Sequence, residues 1–156
     1  MPAKGGAPVK INGMINPTSK VFLFVHVICC VKGRESILTK PVRNVLFPRI
    51  RQVAADKLAR IVAINGVENH LHILLQLHPS FGLSQVVKTL KDESSLWLNL
   101  NKFLPQDFEW EEDYMAYSVS PSAIRQVTEY IDQQEVHHKT RTLDSELEAF
   151  DRLIPG

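Results

Sequence analysis

A chain of 156 residues, 44% of them hydrophobic, is long enough for one domain with its own core and too short for two comfortable ones. No apolar run approaches the roughly 20 residues needed to cross a bilayer, and the first residues lack the apolar centre of a secretory signal, so a membrane-embedded or exported protein is not expected and a cytoplasmic one is. Net charge is only +1, yet the charges are segregated: Lys32, Arg34, Lys40, Arg43, Arg49, Arg51, Lys57 and Arg60 crowd one stretch, and Asp107, Glu109, Glu111, Glu112 and Asp113 form an acidic block.

Residues 1–18, rich in Gly, Pro and Lys, read as a flexible leader, which leaves 19–156 as a single domain. Residues 21–31 are an almost unbroken apolar run, β-branched and aromatic, interrupted by His26, and predict a central strand with His26 as a satisfied core histidine. Cys29 and Cys30 are adjacent in that strand, point to opposite faces and cannot form an ordinary disulfide, which suits a reducing compartment. From Pro41, the spacing of Val42, Val45, Leu46, Ile50, Val53 and Leu58 predicts an amphipathic helix with its arginines outward. Pro48 inside it removes a backbone hydrogen bond at a cost of about 3 kcal/mol and predicts a kink or restart.

Strands follow at 60–65 and 70–77, joined by the hairpin loop Gly66-Val67-Glu68-Asn69. Leu83, Val86, Val87, Leu90, Trp97 and Leu98 mark a second amphipathic helix, with Lys88 and Lys91 on its polar side. A polar loop over 99–113 leads to a short strand at 114–119. Ser120-Pro121 then starts a last long helix, expected to run to about residue 141. The order strand, helix, strand, strand, helix, strand, helix predicts an α+β split βαβ sandwich: a four-stranded antiparallel sheet, helices on one face, and one extra C-terminal helix.

Two features of this plan carry chemistry. His70 and His72 alternate in a strand, so both imidazoles leave one face with α-carbons about 6.5–7 Å apart and are able to converge on one ion, while Leu71, Ile73, Leu75 and Leu77 take the core face. As an isolated pair they are more readily read as ordinary half-buried histidines. Tyr130 and Gln134 stand four apart in the last helix, on one face, with about 6 Å of rise between them. Alone, a tyrosine at the edge of an amphipathic helix is packing. His137 and His138 either join that face or complement the helix end. Together the groups suit phosphodiester transfer, which needs a nucleophile and positive charge on the non-bridging oxygens. Holding a phenol as phenolate at pH 7 costs roughly 4 kcal/mol without help, which is why a divalent ion, Mg²⁺ or Mn²⁺, belongs beside it.

At these positions the sequence resembles a family. Val25-His26-Val27 through Lys32-Gly33-Arg34, Asn69-His70-Leu71-His72, Lys91-Asp92-Glu93-Ser94-Ser95, Tyr117-Ser118-Val119-Ser120 and Tyr130 through Lys139 are similar, in order and spacing, to the single-tyrosine HUH transposases of the insertion sequence 200/605 group. The resemblance implies a ferredoxin-like or RRM-like domain in which His70, His72 and Gln134 hold the metal and Tyr130 attacks single-stranded DNA. A covalent 5′-phosphotyrosine forms and a 3′-hydroxyl is released, so that an insertion sequence is mobilised or hairpin repeats are processed. It also implies hairpin-bearing DNA as partner and a homodimer with composite active sites. Asp92 departs from the family, which usually has glycine there. Lys32, Arg34, Lys88 and Lys91 are the candidate phosphate contacts. The competing readings are a non-catalytic hairpin-binding module derived from a transposase and a metal-dependent hydrolase whose nucleophile is water.

Overall fold

A computed structural model describes residues 10–11, 14–15, 20–56 and 59–154. The leader expected over 1–18 lies largely outside these residues; its described part is an antiparallel pair, Lys10–Ile11 with Met14–Ile15. Strands β1 (Leu23–Cys30), β2 (Ala59–Gly66), β3 (His70–Leu77) and β4 (Met115–Val119) form an antiparallel sheet in the order β2-β3-β1-β4. Helix α1 (Lys40–Asp56) links β1 to β2, and α2 (Leu83–Leu100) links β3 to β4, which is the split βαβ plan expected.

Both helices cover one face. Alternation in the strands sends Val27, Cys29, Leu71, Ile73 and Leu75 toward them, and Leu46, Ile50, Val86, Val87 and Leu90 meet those side chains from the helices. Each such buried aliphatic residue stabilises the fold by about 1.5–3 kcal/mol, so this layer dominates the energetics. The opposite face is thinner: its buried apolar cluster is Ala63, Leu74 and Ile131.

That second face receives the C-terminal helices. The continuous helix expected to residue 141 is instead broken: α3 (Ile124–Asp132) stops, α4 (Gln134–His137) is one short turn, and α5 (Leu143–Asp151) is a separate helix absent from the expected plan. The break has a specific cause. Asn65 Nδ2 on β2 donates to the carbonyls of Ile131 and Asp132, both at 3.0 Å, which an uninterrupted helix would use for its next turn. α5 begins with Thr142, whose hydroxyl accepts from the Ser145 amide at 3.2 Å.

Other differences are local. α1 runs through Pro48 without a restart. Val45 is exposed, and Leu58 lies outside the described residues. Arg43, expected outward, is buried because it donates to the Leu38 carbonyl at 2.6 Å and to Glu135 at 3.2 Å, tying α1 to the α4 turn. The loop after α2 is anchored by buried Phe108 and Trp110, with the Trp110 indole donating to Ser94 Oγ at 3.0 Å. Cys29 and Cys30 are buried and free. No helix among the described residues is long and apolar enough to cross a membrane.

Candidate metal and nucleophile site

The register of the sheet builds the site from its histidines outward. Cys30 opposes His70 and Ile28 opposes His72, so both imidazoles stand on the thin face, beneath the C-terminal helices. Gly66 makes the hairpin before them possible: a Cβ there would sit 2.4 Å from the His70 carbonyl oxygen. Neither histidine side chain has solvent exposure.

Each ring is held by its other nitrogen. His70 Nδ1 lies 2.7 Å from Asn69 Oδ1, an acceptor, so the proton is assigned to Nδ1 and the Nε2 lone pair turns inward. His72 Nδ1 lies 2.7 Å from His26 Nε2. Burial, with the His72 ring adding to it, pushes His26 down to about 3, so His26 is neutral at pH 7. A neutral His26 is able to accept from His72 Nδ1–H, which frees the second Nε2 lone pair inward as well. His26 is the buried, hydrogen-bonded histidine that its strand position predicts, and its partner is a site residue.

From the other side come Tyr130, Gln134, His138 and Glu146. Glu146 on α5 is 1% exposed. Its Oε2 accepts from the Tyr130 hydroxyl at 2.6 Å and from Gln134 Nε2 at 3.3 Å, and stands 3.0 Å from His138 Nε2. Its Oε1 stands 2.7 Å from His72 Nε2 and 3.7 Å from His70 Nε2. The Tyr130 ring stacks on His137 at 4.9 Å and meets the His72 ring edge-on at 6.0 Å. Burial and then the Glu146 hydrogen bond push the Tyr130 phenol well above its ordinary value, so it is neutral at pH 7. Although burial alone would raise Glu146, its close contacts with His70, His72 and the Tyr130 hydroxyl bring its carboxyl well below the usual range, and burial lowers both His72 and His138.

The polar inventory does not close within the protein. Five buried side-chain polar atoms among the described residues lack a hydrogen bond of acceptable geometry, and four of them are here: His70 Nε2, His72 Nε2, Gln134 Oε1 and Glu146 Oε1. An unsatisfied buried group costs about 1–3 kcal/mol, so four in one place need a partner that is not a side chain. Two imidazole nitrogens and two oxygens suit a divalent ion. Within the same cluster, the donor atoms of His70, His72, His138 and Glu146 all lie within 4.8 Å of one another and are able to hold one.

The structure therefore brings His70, His72, Tyr130 and Gln134 together inside one chain. The other sequence candidates sit outside this pocket. Lys32 pairs with Glu109 at 2.6 Å and Arg34 pairs with Asp144; both follow β1 at the His70 end of the sheet. Lys88 pairs with Asp92, and Lys91 donates to the Glu112 carbonyl at 2.8 Å, both on α2 across the sheet from Tyr130. Glu146 was missed because α5 was not expected. Its signal was present in Thr142 as a cap followed by Leu143, Leu147 and Phe150 at helical spacing.

Comparison with known proteins identifies the family and matches the fold. The ISDra2 transposase TnpA of Deinococcus radiodurans is 28% identical over 114 residues, 70% of this chain and 81% of the relative. A solved transposase structure from Deinococcus radiodurans R1 superposes with a TM-score of 0.62 at 25% identity, covering 78% of this chain and 97% of that one. A REP-associated tyrosine transposase, solved bound to a REP hairpin, shares the fold with a TM-score of 0.59 at 16% identity, over 80% of this chain and 74% of its own. Residues 20–134, well over half of the sequence, match the family model described as "Transposase IS200 like", and the chain belongs to that family.

Proposed function

We propose that this chain cuts and rejoins single-stranded DNA, with Tyr130 as the nucleophile and His70, His72 and Gln134 as ligands of a divalent ion, Mg²⁺ or Mn²⁺. The observation that carries the reading is that the two histidine Nε2 atoms and Gln134 Oε1 are buried without a hydrogen bond of acceptable geometry, on side chains that all meet Glu146, which also holds the Tyr130 hydroxyl. The nitrogen donors favour Mn²⁺ of the two. Bound there, the ion supplies positive charge to the non-bridging oxygens of the scissile phosphate.

The rest falls to the chain's own groups. Tyr130 loses its hydroxyl proton and its oxygen attacks phosphorus. The bond from phosphorus to the 3′-oxygen breaks, that oxygen takes up a proton, and the 5′-phosphate remains on the tyrosine. A different 3′-hydroxyl reverses the step, restoring a phosphodiester and the free phenol with no external energy source. Burial and stacking on His137 hold the phenol in place, which matters because positioning is worth several kcal/mol in such reactions.

The substrate class is a hairpin-bearing single strand, as in the REP-bound relative, and the setting is mobilisation of an insertion sequence or processing of hairpin repeats. Lys32, Arg34, Lys88 and Lys91 are the proposed phosphate contacts. A homodimer is proposed as well; composite active sites would set Tyr130 and Gln134 of one copy beside the histidines of the other, and a single chain also brings the four together within itself. Incubation with a hairpin oligonucleotide and Mn²⁺ is expected to give an SDS-resistant protein–DNA adduct that Tyr130→Phe cannot form. Equal adduct with the variant would remove Tyr130 as nucleophile. Cleavage to free 5′-phosphate ends without an adduct would identify a hydrolase, and hairpin binding that survives chelation with no cleavage would identify a binding module.

A further inference from the structure

The carboxylate of Glu146 is in an unusual place for an anion. It is 1% exposed, and among the described residues its ion-pairing partners are three histidines, with no lysine or arginine in reach. A buried carboxylate without a cation is costly by several kcal/mol. Its two oxygens are also used unequally. Oε2 accepts from the Tyr130 hydroxyl and the Gln134 amide, which fixes the plane of the group, and His138 Nε2 stands 3.0 Å from it. Oε1 has no hydrogen bond and faces His72 Nε2 at 2.7 Å and His70 Nε2 at 3.7 Å. Neighbouring donors around an ion with bonds of about 2.1 Å stand roughly 3 Å apart, a spacing that these two distances bracket.

The helix that brings Glu146 in is held at three points. Leu143 is buried, Asp144 pairs with Arg34, and Phe150 packs edge-on against His26 at 5.3 Å and Tyr130 at 5.7 Å. It also lies beyond residues 20–134, the stretch that matches the family. We propose that Glu146 is an additional, anionic ligand of the ion assigned to His70, His72 and Gln134, with Oε1 turned to the metal and Oε2 holding the Tyr130 hydroxyl. This rests on the metal site of the proposed function. A single carboxylate then couples the ion to the nucleophile and supplies the negative charge that two imidazoles and an amide lack.

The test is Mn²⁺ binding to the DNA-free protein by isothermal titration calorimetry, for wild type, Glu146→Ala, Glu146→Gln and His72→Ala, with the Mn²⁺-induced rise in Tm as a second readout. Glu146→Ala is expected to bind Mn²⁺ at least about tenfold more weakly and to show a smaller rise in Tm, and Glu146→Gln, which keeps an oxygen but not the charge, to fall between it and wild type. Circular dichroism of the metal-free variants establishes that they are folded, and the isosteric glutamine variant carries the test if the alanine variant is not. Unchanged or tighter binding in Glu146→Ala, with binding lost in His72→Ala, would overturn the carboxylate ligand and leave the histidine site standing. A wild-type protein that binds no Mn²⁺ would overturn both.

Discussion

His72 can serve as a ligand only if its proton is on the far nitrogen, and that choice is made by His26. The two rings meet at 2.7 Å, and His26 is held neutral by burial, so its Nε2 is able to accept from His72 Nδ1–H. Partners of this kind typically govern metal affinity by 10- to 100-fold, although they never touch the ion. Replacing His26 with phenylalanine keeps an aromatic ring in the core and removes the acceptor. His26→Phe is therefore expected to weaken Mn²⁺ binding by about 10- to 100-fold as measured by calorimetry, and wild-type affinity in the variant would show that His72 is oriented by packing alone. The alternation His70-Leu71-His72 was legible in the sequence because a strand has a strict period of two, which fixes both which residues share a face and which pack on the core. Glu146 was not, because its role depends on a helix that returns to the sheet after a turn whose direction no local pattern states.

At the scale of elements, the feature that matters most is the interruption between Tyr130 and Gln134. A continuous helix would stack the two side chains one turn apart on one face. Instead Gln133 leaves helical geometry, with φ −97 and ψ 15, and Gln134 starts a new turn. The sequence contains no glycine or proline to announce this. The agent is Asn65, 66 residues from Ile131, whose amide takes the carbonyls that would continue α3. Periodicity reads only neighbours along the chain, so the strands, α1 and α2 were legible and this break was not. Asn65→Ala is expected to cost about 1–2 kcal/mol in urea denaturation, from two lost hydrogen bonds. Because Gln134 is aimed by the break, Mn²⁺ affinity should fall with it. Lost stability at unchanged affinity would mean that Arg43, through Glu135, suffices to place the turn.

For the molecule as a whole, 18 basic and 17 acidic residues leave almost no net field to draw a polyanion. Attraction to DNA must come from where cations stand, and the four candidates are all engaged by acidic side chains or carbonyls of the same chain. These contacts are exposed, and exposed ion pairs contribute about 0–1 kcal/mol, so a phosphate is able to replace the internal partner at little cost. Exchange of this kind still releases the counterions of the DNA. The logarithm of the binding constant should then fall with the logarithm of salt concentration by roughly 0.7 for each phosphate contact on a single strand. Two double variants, Lys32→Ala with Arg34→Ala and Lys88→Ala with Lys91→Ala, separate the His70 end of the sheet from the α2 surface. Each is expected to flatten the salt slope by about 1.4 when hairpin binding is measured by fluorescence anisotropy from low to high salt. A slope unchanged in one double variant takes that pair out of the path of the strand, and a slope unchanged in both moves the DNA-binding surface elsewhere on the molecule.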